Sequence, residues 1–468
     1  MLPYLYQGSD VMQIIILGSG QLSLTLASAL SKQNHDVVLV DEDVDKLQAI
    51  KKKCDISIVI GRPSYPDVLR DANAKETDVL IAVCENDELN MVACQVAYSL
   101  FDIPCKIAHI RSPHYFFRNE LFGDHNLPID VFINPEKLVS QFMISLIEFP
   151  SSTYMLKFFN DQLRVVGIEI SKDSELLKVN IKPMSMQLGD SWIKPIAVYR
   201  KEQYISIKKI RHLKPNDEFY FSIEASHIDV FFTWLNQDEA FSSDNIMIGG
   251  GGHIGYYLAD HLSDQYNVKV IERDLHRCNY LSQKLPKATI LQGDVVDKDL
   301  ISSENINDVS VYCAVSDDDH ANILSSLQAK YLGANKVMTI LNQKNYVDIL
   351  QKDKKHLTIH PEDFSIAAIL SHISGDGVEK VALLKRGHAS VYEITVPEAS
   401  SFIDKKITTI ESDSVVVAAI KRAEKIIIPD VNACILKGDV LLMFLVKDLE
   451  KPVIEKIRGL KLKRFFNI

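Results

Sequence analysis

The sequence predicts an α/β protein with two parallel-sheet units, each followed by a small α+β unit. Three observations predict it. Segments rich in Val and Ile alternate with segments of helical period, which is the pattern of a parallel sheet covered on both faces. A Gly-x-Gly turn separates the first such strand from the first helix. The arrangement also occurs twice: Ile14-Ile-Ile-Leu-Gly18-Ser-Gly20 realigns with Ile246-Met-Ile-Gly-Gly250-Gly-Gly252, the mark of an internal repeat.

The elements follow in order. Gln13–Leu17 reads as a buried strand, Leu22–Gln33 as a helix, Asp36–Val40 as a strand and Val44–Lys52 as a helix. Ile56–Ile60 and Val79–Val83 are further strands, and Tyr65–Ala72 and Leu89–Leu100 further helices. At the offset that lays Gly18 on Gly250, Gly61 falls on Gly293, Ala82-Val83 on Ala314-Val315, Asp87 on Asp319 and Asn90 on Asn322. A second correspondence lays Ala197, Arg200 and Asp217 on Ala419, Arg422 and Asp439. Strand-like runs there are Arg164–Ile170, Tyr204–Ile210, Glu218–Ile223 and Val440–Val446, with turn signals at Lys214-Pro-Asn-Asp217 and Lys437-Gly-Asp439.

The expected organisation is therefore an extension over 1–11, Rossmann-like N domains over 12–145 and 244–370, and small α+β C domains over 151–238 and 375–460. Linkers are expected at Pro150–Ser152, Phe241–Asp244 and Ser374–Gly377.

Composition narrows the function. The chain has 468 residues, 52 Lys and Arg against 62 Asp and Glu, and a formal charge of −10, a balance that argues against broad binding to nucleic acid. Apolar runs such as Val79–Cys84 fall far short of the roughly 18 residues of a membrane span. The start lacks the basic and apolar regions of a signal peptide. The seven Cys show no C-x-x-C spacing and read as reduced thiols of a cytosolic protein. No HExxH, GxSxG or P-loop motif occurs. The end of the chain, Lys451–Ile468, is rich in Lys and Arg and reads as a solvated amphipathic helix.

The candidate sites are the two glycine loops. The first glycine permits a tight turn, and the second lets a pyrophosphate approach the backbone at a helix N-terminus. The third glycine of the pattern is Ser23 in the first copy and Gly255 in the second. Asp41 and Glu272 lie about 20 residues past the first glycines, where an acid hydrogen-bonds adenosine ribose hydroxyls and repels a 2′-phosphate. That favours NAD, ADP or ATP and leaves the choice among them open. Cys84-Glu85 and Ser316-Asp317 follow the fourth strands, at the carboxyl edge where ligands of open sheets collect. Asp87 and Asp319 resemble N-caps of the next helices. Arg111 follows the fifth strand and is placed to pair with a phosphate. Its counterpart segment, Thr339–Gln343, has no Arg. His253 lies inside the second glycine loop, where it can offer a backbone donor and nothing identifies a general base beside it, and His109 reads as a satisfied strand residue.

With these residues in view, the chain resembles the tandem RCK (or KTN) family, the peripheral subunits of bacterial Trk potassium uptake systems. The resemblance rests on Ile14–Gln21, Asp87–Leu100, Ile110-Arg-Ser-Pro113, Val268–Arg273 and Ala329–Met338, and it runs from residue 12 to the C-terminus. It implies a non-enzymatic regulator that assembles as a ring, typically a tetramer. The ring would dock on the cytoplasmic face of a membrane potassium-translocating subunit of the TrkH or TrkG type. It implies binding of NAD or NADH, and in some members ATP or ADP, without turnover. Carried onto this chain, the first site would use Gly18, Ser19, Gly20, Gln21, Leu22, Asp41, Cys84, Glu85 and Arg111. The second would use Gly250, Gly251, Gly252, His253, Ile254 and Glu272. Two alternatives stay open on the residues alone: an NAD-dependent oxidoreductase with duplicated domains, and a scaffold of vacant Rossmann-like units.

Overall fold

The computed structural model describes residues 11–116, 119–123, 126–181, 192–235, 244–343, 346, 356–373, 377–446 and 450–459. The first N-type segment runs β1 (Gln13–Leu17), α1 (Gln21–Lys32), β2 (Asp36–Asp41), α2 (Val44–Lys51), β3 (Ser57–Ile60), α3 (Pro66–Asp71), β4 (Val79–Ala82), α4 (Asp87–Phe101), β5 (Cys105–His109), β6 (Val131–Ile133) and α5 (Pro135–Glu148). Its strands form one parallel sheet in the order β3-β2-β1-β4-β5-β6. The order reverses between β1 and β4, which makes that crevice the switch point where such sheets take ligands. Ile15, Leu17, Val40, Leu80, Ala82 and Ala108 fill the core beneath it.

The first C-type segment contains β7 (Ser152–Phe158), β8 (Leu163–Glu169), β9 (Ile193–Arg200), β10 (Gln203–Ile205), β11 (Glu218–Glu224) and α6 (Ile228–Trp234). The N-type pattern then returns as β12 (Asn245–Gly249), α7 (His253–Leu262), β13 (Asn267–Glu272), α8 (Leu275–Lys284), β14 (Thr289–Gln292), α9 (Lys298–Ser303), β15 (Val311–Ala314), α10 (Asp319–Tyr331), β16 (Lys336–Ile340), β17 (His356–Ile359) and α11 (Pro361–Ile373). Its sheet has the order β14-β13-β12-β15-β16-β17, the same as the first. The last segment holds β18 (Val378–Leu384), β19 (Ala389–Thr395), β20 (Val415–Arg422), β21 (Lys425–Ile427), β22 (Val440–Val446) and α12 (Glu450–Ile457). Both C-type sheets are antiparallel and equivalent in order, β10-β9-β11-β8-β7 and β18-β19-β22-β20-β21.

The chain divides into two compact units, Met1–Leu138 with Pro361–Asp376, and Val139–His360 with Gly377–Ile468. In the first unit, α11 packs beside α1 and β6, although it follows the second sheet in sequence. In the second unit, the two C-type sheets share one core. Phe158, Ile196 and Tyr199 of one pack with Leu384, Ala418 and Phe444 of the other. Polar groups are matched across this joint: the Ser222 hydroxyl donates to Ala418 O at 2.8 Å, and Lys194 pairs with Glu411 at 2.9 Å.

Three local expectations are corrected. Tyr204–Ile210 is a strand only to Ile205. Ser206 then accepts the Lys208 N–H and starts a 3-10 turn, because its short hydroxyl competes for the backbone. Ser152, expected in a linker, already pairs in β7. Lys451–Ile468 is not simply a solvated helix, since Ile454 and Ile457 of α12 are buried in the second C-type core. Residues 1–10, 241–243, 374–376 and 460–468 lie outside the described residues. Among the described residues, no helix is long and apolar enough to cross a membrane.

Candidate functional site

Each loop begins where β1 or β12 ends. Gly18 (φ +107°) and Gly250 (φ +118°) adopt conformations that L side chains rarely take. Each lies against the loop that follows the fourth strand: a Cβ on Gly18 would stand 3.1 Å from Val83 O, and one on Gly250 2.7 Å from Ser316 N. The sheet thus brings Gly18 and Cys84 together, and likewise Gly250 and Ser316. Gly20 and Gly252 are the N-caps of α1 and α7, with no side-chain cap on either helix. A Cβ on either would have nothing within 4 Å. Free N–H groups, helix polarity and open space over the backbone suit a phosphate. Gln21 is exposed and Leu22 buried, while His253 and Ile254 are partly buried.

The third position differs between the loops. A Cβ on Gly255 would collide with Gly250 O, so the second loop is closed around its own helix. The first loop leaves room for Ser23, which is buried and whose Oγ has no hydrogen-bond partner.

The acids end β2 and β13. Asp41 Oδ1 accepts the Asp43 N–H at 2.9 Å. Glu272 Oε1 accepts the Asp274 N–H at 2.8 Å, and its Oε2 accepts the Gly251 N–H at 2.9 Å. The longer glutamate therefore reaches its glycine loop, and the same residue arrangement holds the third-strand turn close. Gly61 N–H donates to Asp41 O, and Gly293 N–H to Glu272 O, each at 2.9 Å.

The carboxyl edge of the fourth strand is shaped by residues to which sequence reasoning gave no role. Asn90 Oδ1 accepts the Cys84 N–H at 2.9 Å, and its Nδ2 donates to Cys84 O and His109 O at 3.0 Å. Asn322 repeats this with Ser316 and Ile340. Their identity at the fixed repeat offset was the available signal. Asp87 and Asp319 are not N-caps, and Asn86 and Asp318 hold those positions. Asp87 instead accepts the N–H groups of Arg111 (3.0 Å) and Ser112 (2.8 Å), and Asp319 those of Asn342 and Gln343. The two loops need an anion beneath them, and the first helical residue points there while its neighbour caps. Arg111 is so fixed by its backbone, with its side chain exposed, as is Glu85.

The electrostatics disfavour Cys84 as a nucleophile and His109 as a base. Burial, with the Asp41 charge second, pushes the Cys84 thiol up to about 12. Burial pushes His109 down to about 3, with Arg111 adding to the effect. No cluster of three or more His, Cys, Asp or Glu suited to a metal occurs among the described residues.

Against known proteins, the TrkA-N domain model matches residues 14–135 and 246–361, and the TrkA-C domain model matches 391–448. The chain is 33% identical over 461 residues to the Trk system potassium uptake protein TrkA of Halomonas elongata, covering 98% of this chain and 99% of that one. It is 34% identical over 440 residues to the protein of the same name from Vibrio alginolyticus, covering 93% and 96%. A crystal structure of the GsuK RCK domain superimposes with TM-score 0.60 at 17% identity, covering 97% of this chain and 96% of that one. The GsuK channel bound to NAD superimposes with TM-score 0.59 at 17% identity, covering 97% and 80%.

Proposed function

Because the chain belongs to the TrkA family of Trk potassium uptake proteins, we propose that it is the nucleotide-sensing regulatory subunit of a Trk-type potassium uptake system. Its two glycine loops bind NAD or NADH, or ADP or ATP, without turning them over. The chain assembles with copies of itself, as a tetrameric ring, on the cytoplasmic face of a TrkH- or TrkG-type membrane subunit, through which potassium passes. The observation that carries this reading is the duplicated cradle. Gly20 and Gly252 leave open space above uncapped helix N-termini, Asp41 ends the adjoining strand β2, and Glu272 accepts the Gly251 N–H. A neighbour of like fold bound to NAD supports it.

The first site is assigned Gly18, Ser19, Gly20, Gln21, Leu22, Asp41, Cys84, Glu85 and Arg111. The second is assigned Gly250, Gly251, Gly252, His253, Ile254 and Glu272. The glycine loop and helix terminus bind the phosphates, and the acid orients the ribose. Bound nucleotide biases the transporter only to the extent that it binds two ring conformations unequally, a coupling of about 1–3 kcal/mol in typical allosteric proteins.

The test is potassium flux through the reconstituted membrane subunit with this chain attached, with and without each nucleotide. Asp41→Ala and Glu272→Ala proteins serve as controls. Flux that follows nucleotide in wild type and loses that dependence in the double variant is the expected result. Flux indifferent to every nucleotide while the chain remains attached and loaded sinks the proposal, and sustained NADH consumption with a carbonyl substrate favours the oxidoreductase.

A further inference from the structure

Arg277 stands in the first turn of α8, and its side chain folds back onto the second glycine loop. Nε donates to Gly251 O at 2.7 Å and Nη2 to Gly252 O at 3.2 Å. The guanidinium lies over the Tyr280 ring, 4.9 Å from its centroid. With Glu272 on the Gly251 N–H, this one peptide segment is held by an anion on its donor side and a cation on its acceptor side.

The first unit is built differently at the same place. Asp43 and Asp274 are equivalent N-caps, accepting from Lys46 N and Arg277 N, so Lys46 is the counterpart of Arg277. The Lys46 ammonium turns away to Asp43 at 3.3 Å and is 62% exposed. The reverse asymmetry holds past the fifth strand. Arg111 stands on the Asp87-held loop of the first unit, whereas the Asp319-held loop of the second carries Asn342 and Gln343. Arg111 and Arg277 therefore approach the ligand edges of their sheets from opposite flanks of the glycine loop.

We propose that Arg277 is the phosphate-selecting residue of the second site, supplying there the positive charge that Arg111 supplies to the first. This rests on the reading that the second loop binds a nucleotide. Carbonyl oxygens of a glycine loop turn partial negative charge toward an incoming polyanion. Arg277 bonds both of them, cancels that charge and adds a full positive charge beside the N-cap of α7. A guanidinium has five N–H donors in a planar fork, and only two are used on the loop. Stacking on Tyr280 holds the plane so that the remaining donors need little ordering to meet phosphate oxygens. The ligand class selected is an adenosine 5′-di- or triphosphate ester, with affinity rising with each phosphate.

The test is hydrogen exchange on the full-length protein titrated with adenosine, AMP and ADP. Peptides covering residues 250–262 report the second site, and peptides covering 18–32 report the first. In Arg277→Gln, the ADP affinity read at 250–262 falls about 10- to 100-fold, the scale of a lost charge-assisted hydrogen bond. The loss shrinks for AMP and vanishes for adenosine, and the first-site peptide is unmoved. Arg277→Lys recovers part of the ADP affinity, and Arg111→Gln shows the same gradient at 18–32 only. An equal loss for all three ligands overturns the proposal and leaves Arg277 as a prop for the loop. Unchanged ADP affinity overturns it outright. No protection of 250–262 in wild type by ADP or NADH overturns the nucleotide reading of the second site, and the proposal with it.

Discussion

Replacing Lys336 by Met changes how the second compact unit responds to pH. The ammonium lies in β16 and donates to Leu146 O and Pro150 O at 3.0 Å and to Ser152 O at 3.2 Å. It thereby ties the end of α5 and the start of β7 to the sheet. Burial pushes its pKa down to about 7, from about 10.4 in an unfolded chain. The folded protein sheds this proton first, so between those values the unfolded state holds more protons and stability rises with pH. The penalty for the buried charge is complete below pH 7 and disappears above the unfolded pKa. Integrated from pH 7.0 to 8.5, the gain is about 1.5 kcal/mol, at about 1.36 kcal/mol per unit. Methionine has no proton to shed, and Lys336→Arg keeps its charge throughout, so both variants lack the increment. Urea unfolding read by tryptophan fluorescence measures it, because Trp192 and Trp234 are the chain's two Trp and belong to the same unit as Lys336. Parallel pH dependence in wild type and Lys336→Met refutes the reasoning. It would mean that the three carbonyls hold the ammonium charged across this range.

Four further outcomes are expected. Ser23→Ala raises thermal stability by roughly 1 kcal/mol, because it removes a buried hydroxyl that has no partner. Gly255→Ala costs the second unit about 1–3 kcal/mol by overpacking, and nucleotide protection of residues 250–262 is lost with it, since the new methyl meets Gly250 O. Asp87→Ala releases the N–H groups of Arg111 and Ser112; amide exchange there accelerates and stability drops by about 2 kcal/mol. At pH 8, iodoacetamide labels exposed Cys434 well before Cys84, whose thiol burial keeps protonated, and mass spectrometry of timed samples reads the order.

The sheets and glycine loops were legible because their causes are local and occur twice. An apolar strand, a Gly-x-Gly turn and an acid at the end of the next strand are each readable within a few residues, and the constant offset removes the ambiguity of a single match. The supporting carboxylates were not. Asn86 and Asp87 are both able to cap α4, and what decides between them is the pair of backbone donors at Arg111 and Ser112, distant in sequence. Arg277 left no signal either, for a helix-surface arginine looks the same whether it enters solvent or bends back onto a loop. The placement of α11 beside α1 and β6 was equally hidden, since its apolar face fits any sheet of this kind. Lys336 runs against the hydrophobic pattern of β16, and only the convergence of three carbonyls explains why an amine is accommodated there.

Duplication followed by divergence has a consequence for regulation. The backbone scaffolds of the two sites are nearly superimposable in their bonding: Asn90 and Asn322 shape the fourth-strand loop, and Asp87 and Asp319 the fifth. What differs is where charged side chains meet the glycine loop. In the first unit Asp41 accepts the Asp43 N–H and Arg111 stands past β5, whereas in the second Glu272 and Arg277 are both bonded to Gly251. A loop already held on both sides loses less freedom on binding, so its affinity depends less on ordering and more on matching charge. If the first loop binds a nucleotide as proposed, its ligand supplies that restraint, and ordering on binding is one way for occupancy to bias conformation. Under the proposed function, the first site would therefore couple to conformation through ordering, and the second would respond chiefly to the charge of its nucleotide.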